Sequence, residues 1–400
     1  MARRALRIAA VLIAATALLS ACSSNLSADP LKPSISRRPA VADYSFMKEE
    51  PVRFTKPTDP TDPFPLDLRQ HDLTKEDLSR VGDVLMGYAT FDARTVWPSM
   101  LPKEYDPTRI MELGKDPGLG MAKLHEQGIT GKGVRVAFLD QALLVDHEEY
   151  KDRIQIYREI GNVGEQAAMH GGAVTSILAG KTVGVAPDVA ITYYAVDNRN
   201  GSWANHAKAI HQILDANAKL PPEQKIRVIG VSWGYDPERA GYKEIKAAVA
   251  RAKKEGVFVL TTTVDEDYTF KFHGLGRDPL ADPNQIDSYR PGSWWADEFY
   301  AFPSAVTDRI FVPMDSRTTA SPTGTSEYVF YRLGGASWLV PYLEGLYALG
   351  LQVKPDLTPE QFYRVALDTG SYSQFIHEGK TYKLGPIINP VALIEKLQKQ

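Results

Sequence analysis

The apolar positions of the 400-residue chain fall into two regimes. From Gly131 onward, short apolar runs alternate with longer stretches whose apolar residues recur at helical spacing. Residues 134–139, 190–196, 227–231 and 257–260 are the short runs, and their length predicts strands. The run at 134–139 is apolar on both alternating faces, which suits a strand covered from both sides. Residues 170–179, 205–218 and 243–254 are predicted helices, with Ile210, Ile213 and Leu214 spaced along one face of the second. Two more helices are predicted at 337–349 and 359–367, the last with Thr358 as N-cap and Pro359 at its first position. Strands alternating with helices predict an α/β fold with a mainly parallel sheet. Residues 266–330 read as loop-rich, with many aromatics and prolines, and no internal repeat is evident.

Before residue 131 the pattern differs. Arg3, Arg4 and Arg7 precede an apolar run from Ile8 to Leu19 that has the length of a signal-peptide core rather than of a membrane span. It ends in Leu19-Ser20-Ala21-Cys22, which resembles the lipobox of bacterial lipoproteins. That resemblance implies cleavage before Cys22 and diacylation of its thiol. Two or more acyl chains, at roughly 0.8 kcal/mol per buried CH₂, hold a protein at a membrane without a spanning helix. Residues 1–21 are thus expected to be a signal peptide, and the protein to be lipid-anchored and extracytoplasmic at a cell membrane. Residues 22–65 are rich in Pro, Ser, Thr and Asp and are expected to form a stiff, extended tether behind the lipidated Cys22. Residues 66–125 are expected to wrap the main domain as an N-terminal extension, with a helix over 74–86 capped by Thr74.

Composition narrows the chemistry. Apolar residues make up 44% and charged residues 24%, enough for a packed core. The net charge of −3 gives no basic face of the kind that nucleic acid requires. Cys22 is the single cysteine, so an intramolecular disulfide, a cysteine nucleophile and a thiolate metal site are all excluded from the mature domain. No metal site and no cofactor are expected; the expected partners are a polypeptide substrate and the membrane, and the protein is read as a monomer.

Three segments carry the candidate chemistry. The first, Gly131-Lys132-Gly133-Val134 through Leu139-Asp140, is a strand ending in a carboxylate, with His147 following. The second is His170-Gly171-Gly172-Ala173-Val174, then Gly184-Val185-Ala186-Pro187. The third is Gly335-Ala336-Ser337, with Pro341 and Gly345 on the helix that follows. Singly, each reads as an ordinary cap, turn or core residue. A hydroxyl is a poor nucleophile until a base accepts its proton. A neutral imidazole suits that task near pH 7, and a carboxylate can orient it and stabilise its cation. A serine at a helix start also lies where backbone N–H groups are unpaired, so its own N–H can serve as an oxyanion donor.

Over roughly residues 120–370 the chain resembles the subtilisin (subtilase) family. The GKGV turn before an aspartate, the His-Gly helix start before GVAP and the serine heading a helix occur in that family in this order, which differs from other serine-hydrolase orders. The resemblance implies a three-layer subtilisin-like fold over 126–400 and a triad of Asp140, His170 and Ser337. It implies a serine endopeptidase working through an acyl-enzyme. Ser232-Trp233-Gly234 matches the family's Ser-Leu-Gly strand, which pairs with substrate backbone, so Trp233 becomes a candidate pocket wall beside Val264. The oxyanion asparagine of the family falls at Asp265, after Val264 in place of glycine. Milder departures are Gln141-Ala142 after the aspartate, Gly172-Ala173 after His-Gly, and Ala336 before the serine. Asp265 and the flanks of His170 leave a second reading, a subtilase-fold pseudoprotease that binds peptides or regulates at the cell surface. A solute-binding lipoprotein is a third, but it gives no reason for the ordered triad.

Overall fold

A computed structural model describes residues 32–59, 62–197, 201–303 and 308–400. The signal peptide and Cys22 lie outside the described residues. Strands and helices are numbered separately from the N-terminus.

The central sheet is six-stranded and parallel throughout, in the order β1 (Ser34–Ile35), β5 (Ile154–Ile160), β6 (Ala190–Val196), β4 (Arg135–Asp140), β7 (Val228–Val231), β8 (Phe258–Thr261). Between its strands run α4 (Met169–Ala179), α5 (Ala204–Asn217) and α6 (Tyr242–Lys254), and α8 (Ala336–Val353) follows further along the chain. Strand alternation decides which layer each side chain joins. Val136 and Phe138 of β4 pack with Val174, Ile177, Val340 and Leu346 from α4 and α8. Ala137 and Leu139 pack on the other face with Ile210, Ile213 and Ile245 from α5 and α6. Three layers follow, an α/β fold with a mainly parallel sheet, as the alternating pattern predicts. The predicted strands and helices of this region stand within a few residues of their expected limits. Thr358 caps α9 (Pro359–Thr369) through a full capping box with Gln361.

Two glycines of the motifs act through close approach. A Cβ on Gly345 would lie 2.8 Å from Cβ of Val185, so glycine lets α8 settle on the Gly184-Val185-Ala186-Pro187 turn. A Cβ on Gly171 would lie 2.6 Å from the hydroxyl of Tyr193 and 2.8 Å from the carbonyl of Gln141.

The loop-rich reading of 266–330 is corrected. This region supplies β9 (Phe272–Arg277), β10 (Tyr289–Pro291), β11 (Ile310–Pro313), β12 (Arg317–Ala320), β13 (Tyr328–Tyr331) and the short α7 (Ala296–Ala301). A second sheet joins β10, β9 and β11 to the hairpin β15 (Lys380–Ile387) and β14 (Ser371–His377). The strands are three to six residues long, and β9, β10 and β11 carry glycine or proline, so no run of alternation is long enough to read.

The N-terminal segments are corrected as well. Residues 34–49 do not stand off as a tether. β1 pairs with the edge of the central sheet, and Arg37 forks onto Glu159, Nε donating at 2.9 Å and Nη2 at 2.6 Å. Backbone pairing with distant residues and this long-range ion pair, which local composition does not reveal, hold the stretch down. Within 66–125, β2 (Leu66–Asp67) and β3 (Ala89–Asp92) build a third sheet with β13 and β12, and Phe91 shares a cluster with Phe330. The extension and the main domain therefore share one sheet. The helix expected over 74–86 is shorter and later, α1 (Gly82–Tyr88). Asp72 accepts from the N–H of Thr74, and Leu78 N–H donates to Met100, so this stretch is spent on turns. The chain is completed by α2 (Pro107–Lys115), α3 (Met121–Glu126) and α10 (Pro390–Leu397). Among the described residues, no helix is long and apolar enough to cross a membrane.

Candidate active site

Asp140 is the last residue of β4, at the carboxyl end of the parallel sheet, where open α/β sheets carry their sites. Its side chain is fully buried. One carboxylate oxygen accepts from the N–H of Gln141 at 2.8 Å. His170 is the second residue of α4, and its Nδ1 meets the two oxygens of Asp140 at 2.8 and 2.9 Å. That contact sets Nδ1 as the donor and leaves Nε2 as the basic nitrogen. Burial pulls the imidazole pKa down, but the Asp140 charge and hydrogen bond outweigh it, so the group stands above its ordinary 6.5.

Ser337 is the second residue of α8, behind the N-cap Gly335. Its hydroxyl donates to the carbonyl of Ser232 at 3.0 Å, and the hydroxyl of Ser232 donates back to the carbonyl of Ser337 at 2.9 Å. Among the described residues the Ser337 hydroxyl makes this bond and none to His170. The head of α8 comes near His170: the ring of Trp338, the residue after Ser337, lies 5.7 Å from the His170 ring. Such serine–histidine bonds are often long without substrate and tighten when it binds.

Sequence reasoning missed Asp315. It is buried, and its two oxygens accept from the N–H groups of Gly334 at 2.8 Å and Ser293 at 3.0 Å. It thereby fixes the loop that delivers Ser337. Burial raises its carboxyl, against Arg332 and those two N–H donors. No neighbouring motif marks it in the sequence; the pairing is wholly tertiary.

Asp265 sits in a single turn, Val264–Glu266, and is exposed, whereas Val264 is buried. Both line a cavity of about 330 Å³ together with Thr262, His273, Arg309 and Ala336. Ala336 precedes Ser337, so this cavity opens beside the candidate nucleophile. Burial, then the Arg309 charge, push the His273 imidazole down to about 4. Ser232 is buried, and Gly234 is held so close to Thr263 that a Cβ would lie 2.6 Å from its methyl carbon. Trp233 does not stand apart as a wall alone; its ring stacks on His170 at 5.5 Å. His147 is structural: it is buried, and its Nε2 meets the carbonyl of Glu327 at 2.9 Å.

The arrangement can move one proton from a hydroxyl to an imidazole whose cation a buried carboxylate supports. An extracellular serine proteinase of Thermus sp. (strain Rt41A) is 27% identical over 237 residues, 58% of this chain and 54% of that protein. The chain thus spans about half the length of the curated relative it matches. Two solved structures share the fold at a TM-score of 0.50. The A-subunit of the AB5 toxin from E. coli is 14% identical, over 70% of this chain and 98% of that one. A chain from the assembly of the subtilase cytotoxin SubAB is 15% identical, over 71% and 95%. Residues 131–289, which include Asp140 and His170, match the model of the Subtilase family, Peptidase S8.

Proposed function

We propose that the protein is a serine endopeptidase, lipid-anchored through Cys22 on the extracytoplasmic side of a membrane. The observation that carries the enzymatic reading is the Asp140–His170 pair at 2.8 Å set beside Ser337 at the head of α8. Ser337 Oγ attacks the carbonyl carbon of the scissile bond while His170 Nε2 accepts its proton. The tetrahedral oxyanion takes a hydrogen bond from the backbone N–H of Ser337, which the first turn of a helix leaves unpaired. The C–N bond then breaks as His170 returns the proton to the leaving amine. Water repeats the sequence on the acyl-enzyme and releases the acid.

Substrate backbone lies along Ser232-Trp233-Gly234, and the side chain before the scissile bond enters the cavity lined by Val264 and Asp265. The anchor rests on the lipobox-like run ending at Cys22. Labelling with a fluorophosphonate probe tests the enzymatic reading. Wild type should label and Ser337→Ala should not. Equal labelling of the two, or none in wild type between pH 5 and pH 9, sinks it. Metabolic incorporation of a fatty-acid analogue, abolished by Cys22→Ala, tests the anchor separately.

A further inference from the structure

His170 is clasped by two indoles. The ring of Trp233 lies parallel to it, 5.5 Å between centroids and 17° between planes. The ring of Trp338 lies 5.7 Å away at 56°. Each tryptophan directly follows a serine of the reciprocal Ser232–Ser337 pair, so the backbone that places the hydroxyls also places the rings. Trp233 is itself held from behind. His206 meets it nearly at a right angle, at 5.5 Å and 86°. Trp203 then meets His206 at 5.4 Å and 68°. His206 is completely buried, and among the described residues neither ring nitrogen has a partner. This row packs against the apolar layer formed with α5 and α6.

We propose that Trp233 is a positioning residue for His170, whose indole face holds the imidazole against Asp140 and stabilises the imidazolium formed when Ser337 gives up its proton. The physical reason is the quadrupole of the ring. An indole face attracts a cation within about 6 Å of its centroid, more strongly than a benzene face does, and attracts a neutral ring far less. A parallel stack therefore favours the protonated state of His170 over the neutral one. A leucine here, as in the Ser-Leu-Gly strand that this segment resembles, would only pack. The charged group acting on the imidazole is Asp140. His206, the titratable neighbour behind Trp233, is held neutral by burial, its pKa lowered to about 4. The effect on rate rests on the peptidase reading, but the titration of His170 does not.

The test is an NMR titration of the His170 Cε1–H signal in a Ser337→Ala background, with the signal assigned by its loss in His170→Ala. Trp233→Leu should lower the midpoint by roughly half to one pH unit, a threefold to tenfold loss of proton affinity. Trp233→Phe should fall between leucine and tryptophan, and Trp203→Phe should leave the midpoint where it was. An unchanged midpoint in Trp233→Leu overturns the inference. If the leucine variant does not fold, an unchanged midpoint in Trp233→Phe overturns it equally. In the active chain, the acid limb of the pH–rate profile should move down by the same interval. A wild type that never labels with fluorophosphonate, yet shows the midpoint shift, removes the peptidase reading and keeps this one.

Discussion

Ser232 and Ser337 exchange two hydrogen bonds, each hydroxyl donating to the other's carbonyl at 3.0 and 2.9 Å. The exchange depends on a proline. Pro341 lies inside α8, beyond its first turn. Four residues before it is Ser337, whose carbonyl would ordinarily accept the N–H at position 341. Proline has no N–H, so that carbonyl is free to take the Ser232 hydroxyl. A fault in the helix ladder thus ties α8 to the end of β7.

Ser232→Ala should destabilise the fold by about 1–3 kcal/mol, because it leaves the Ser337 carbonyl without a donor. Pro341→Ala in that background should recover part of the loss by supplying an N–H. In the wild-type background the same proline change should recover nothing. Urea denaturation of the four chains gives the coupling. Equal effects of Pro341→Ala in both backgrounds would show that the carbonyl does not link them.

Asp265 is the next test. It shares a cavity with Ala336, beside Ser337, and stands where the resembling family carries an asparagine. An ionised carboxylate repels a developing oxyanion, whereas an asparagine amide donates to it. Asp265→Asn should raise kcat by up to about 10²-fold, with KM little changed, since the contact forms in the transition state. An unchanged kcat would place Asp265 outside the oxyanion hole.

Much of this site is readable from sequence because its parts are local. Each candidate triad residue sits at an element boundary: Asp140 ends β4, and His170 and Ser337 stand at the starts of α4 and α8. What is not readable is tertiary. Asp315 fixes the Ser337 loop through N–H groups of Gly334 and Ser293, residues with no pattern between them. The docking of β1 rests on Arg37 finding Glu159 across more than a hundred residues. Trp233 reads as a pocket wall until its face is seen against His170. The Pro341 effect requires knowing where α8 begins, and helix boundaries are the least certain part of any sequence reading.

Glu344 lies on α8, fully buried against Gly230 of β7, where a Cβ would collide with its carboxyl. Burial raises its pKa well above 4.5, against a weaker effect of the Gly230 N–H. The raised folded value means that stability is fully present below about pH 4.5 and is lost as pH rises through the folded pKa. The loss is about 1.4 kcal/mol for each unit between the two values. Glu344→Gln keeps the shape and removes the ionisation. Its melting temperature should exceed that of wild type by more at pH 8 than at pH 5. Parallel melting curves across that range would mean that Glu344 ionises as readily folded as unfolded.

His206 should act with the opposite sign. It is buried between Trp203 and Trp233 with no partner for either nitrogen among the described residues, and desolvation lowers its pKa to about 4. The unfolded imidazole takes a proton below about pH 6.5, but the folded one resists until about pH 4. Stability is therefore intact above pH 6.5 and falls as pH drops toward 4, by up to about 3 kcal/mol. Phenylalanine fits the same aromatic row and cannot be protonated. His206→Phe should flatten the acid side of the stability profile while leaving the alkaline side, where Glu344 acts, unchanged. Urea midpoints at pH 4.5, 6 and 8 measure both limbs in one series. If the variant loses stability toward pH 4.5 as steeply as wild type, the acid limb belongs to other groups and His206 is not what weakens the fold there.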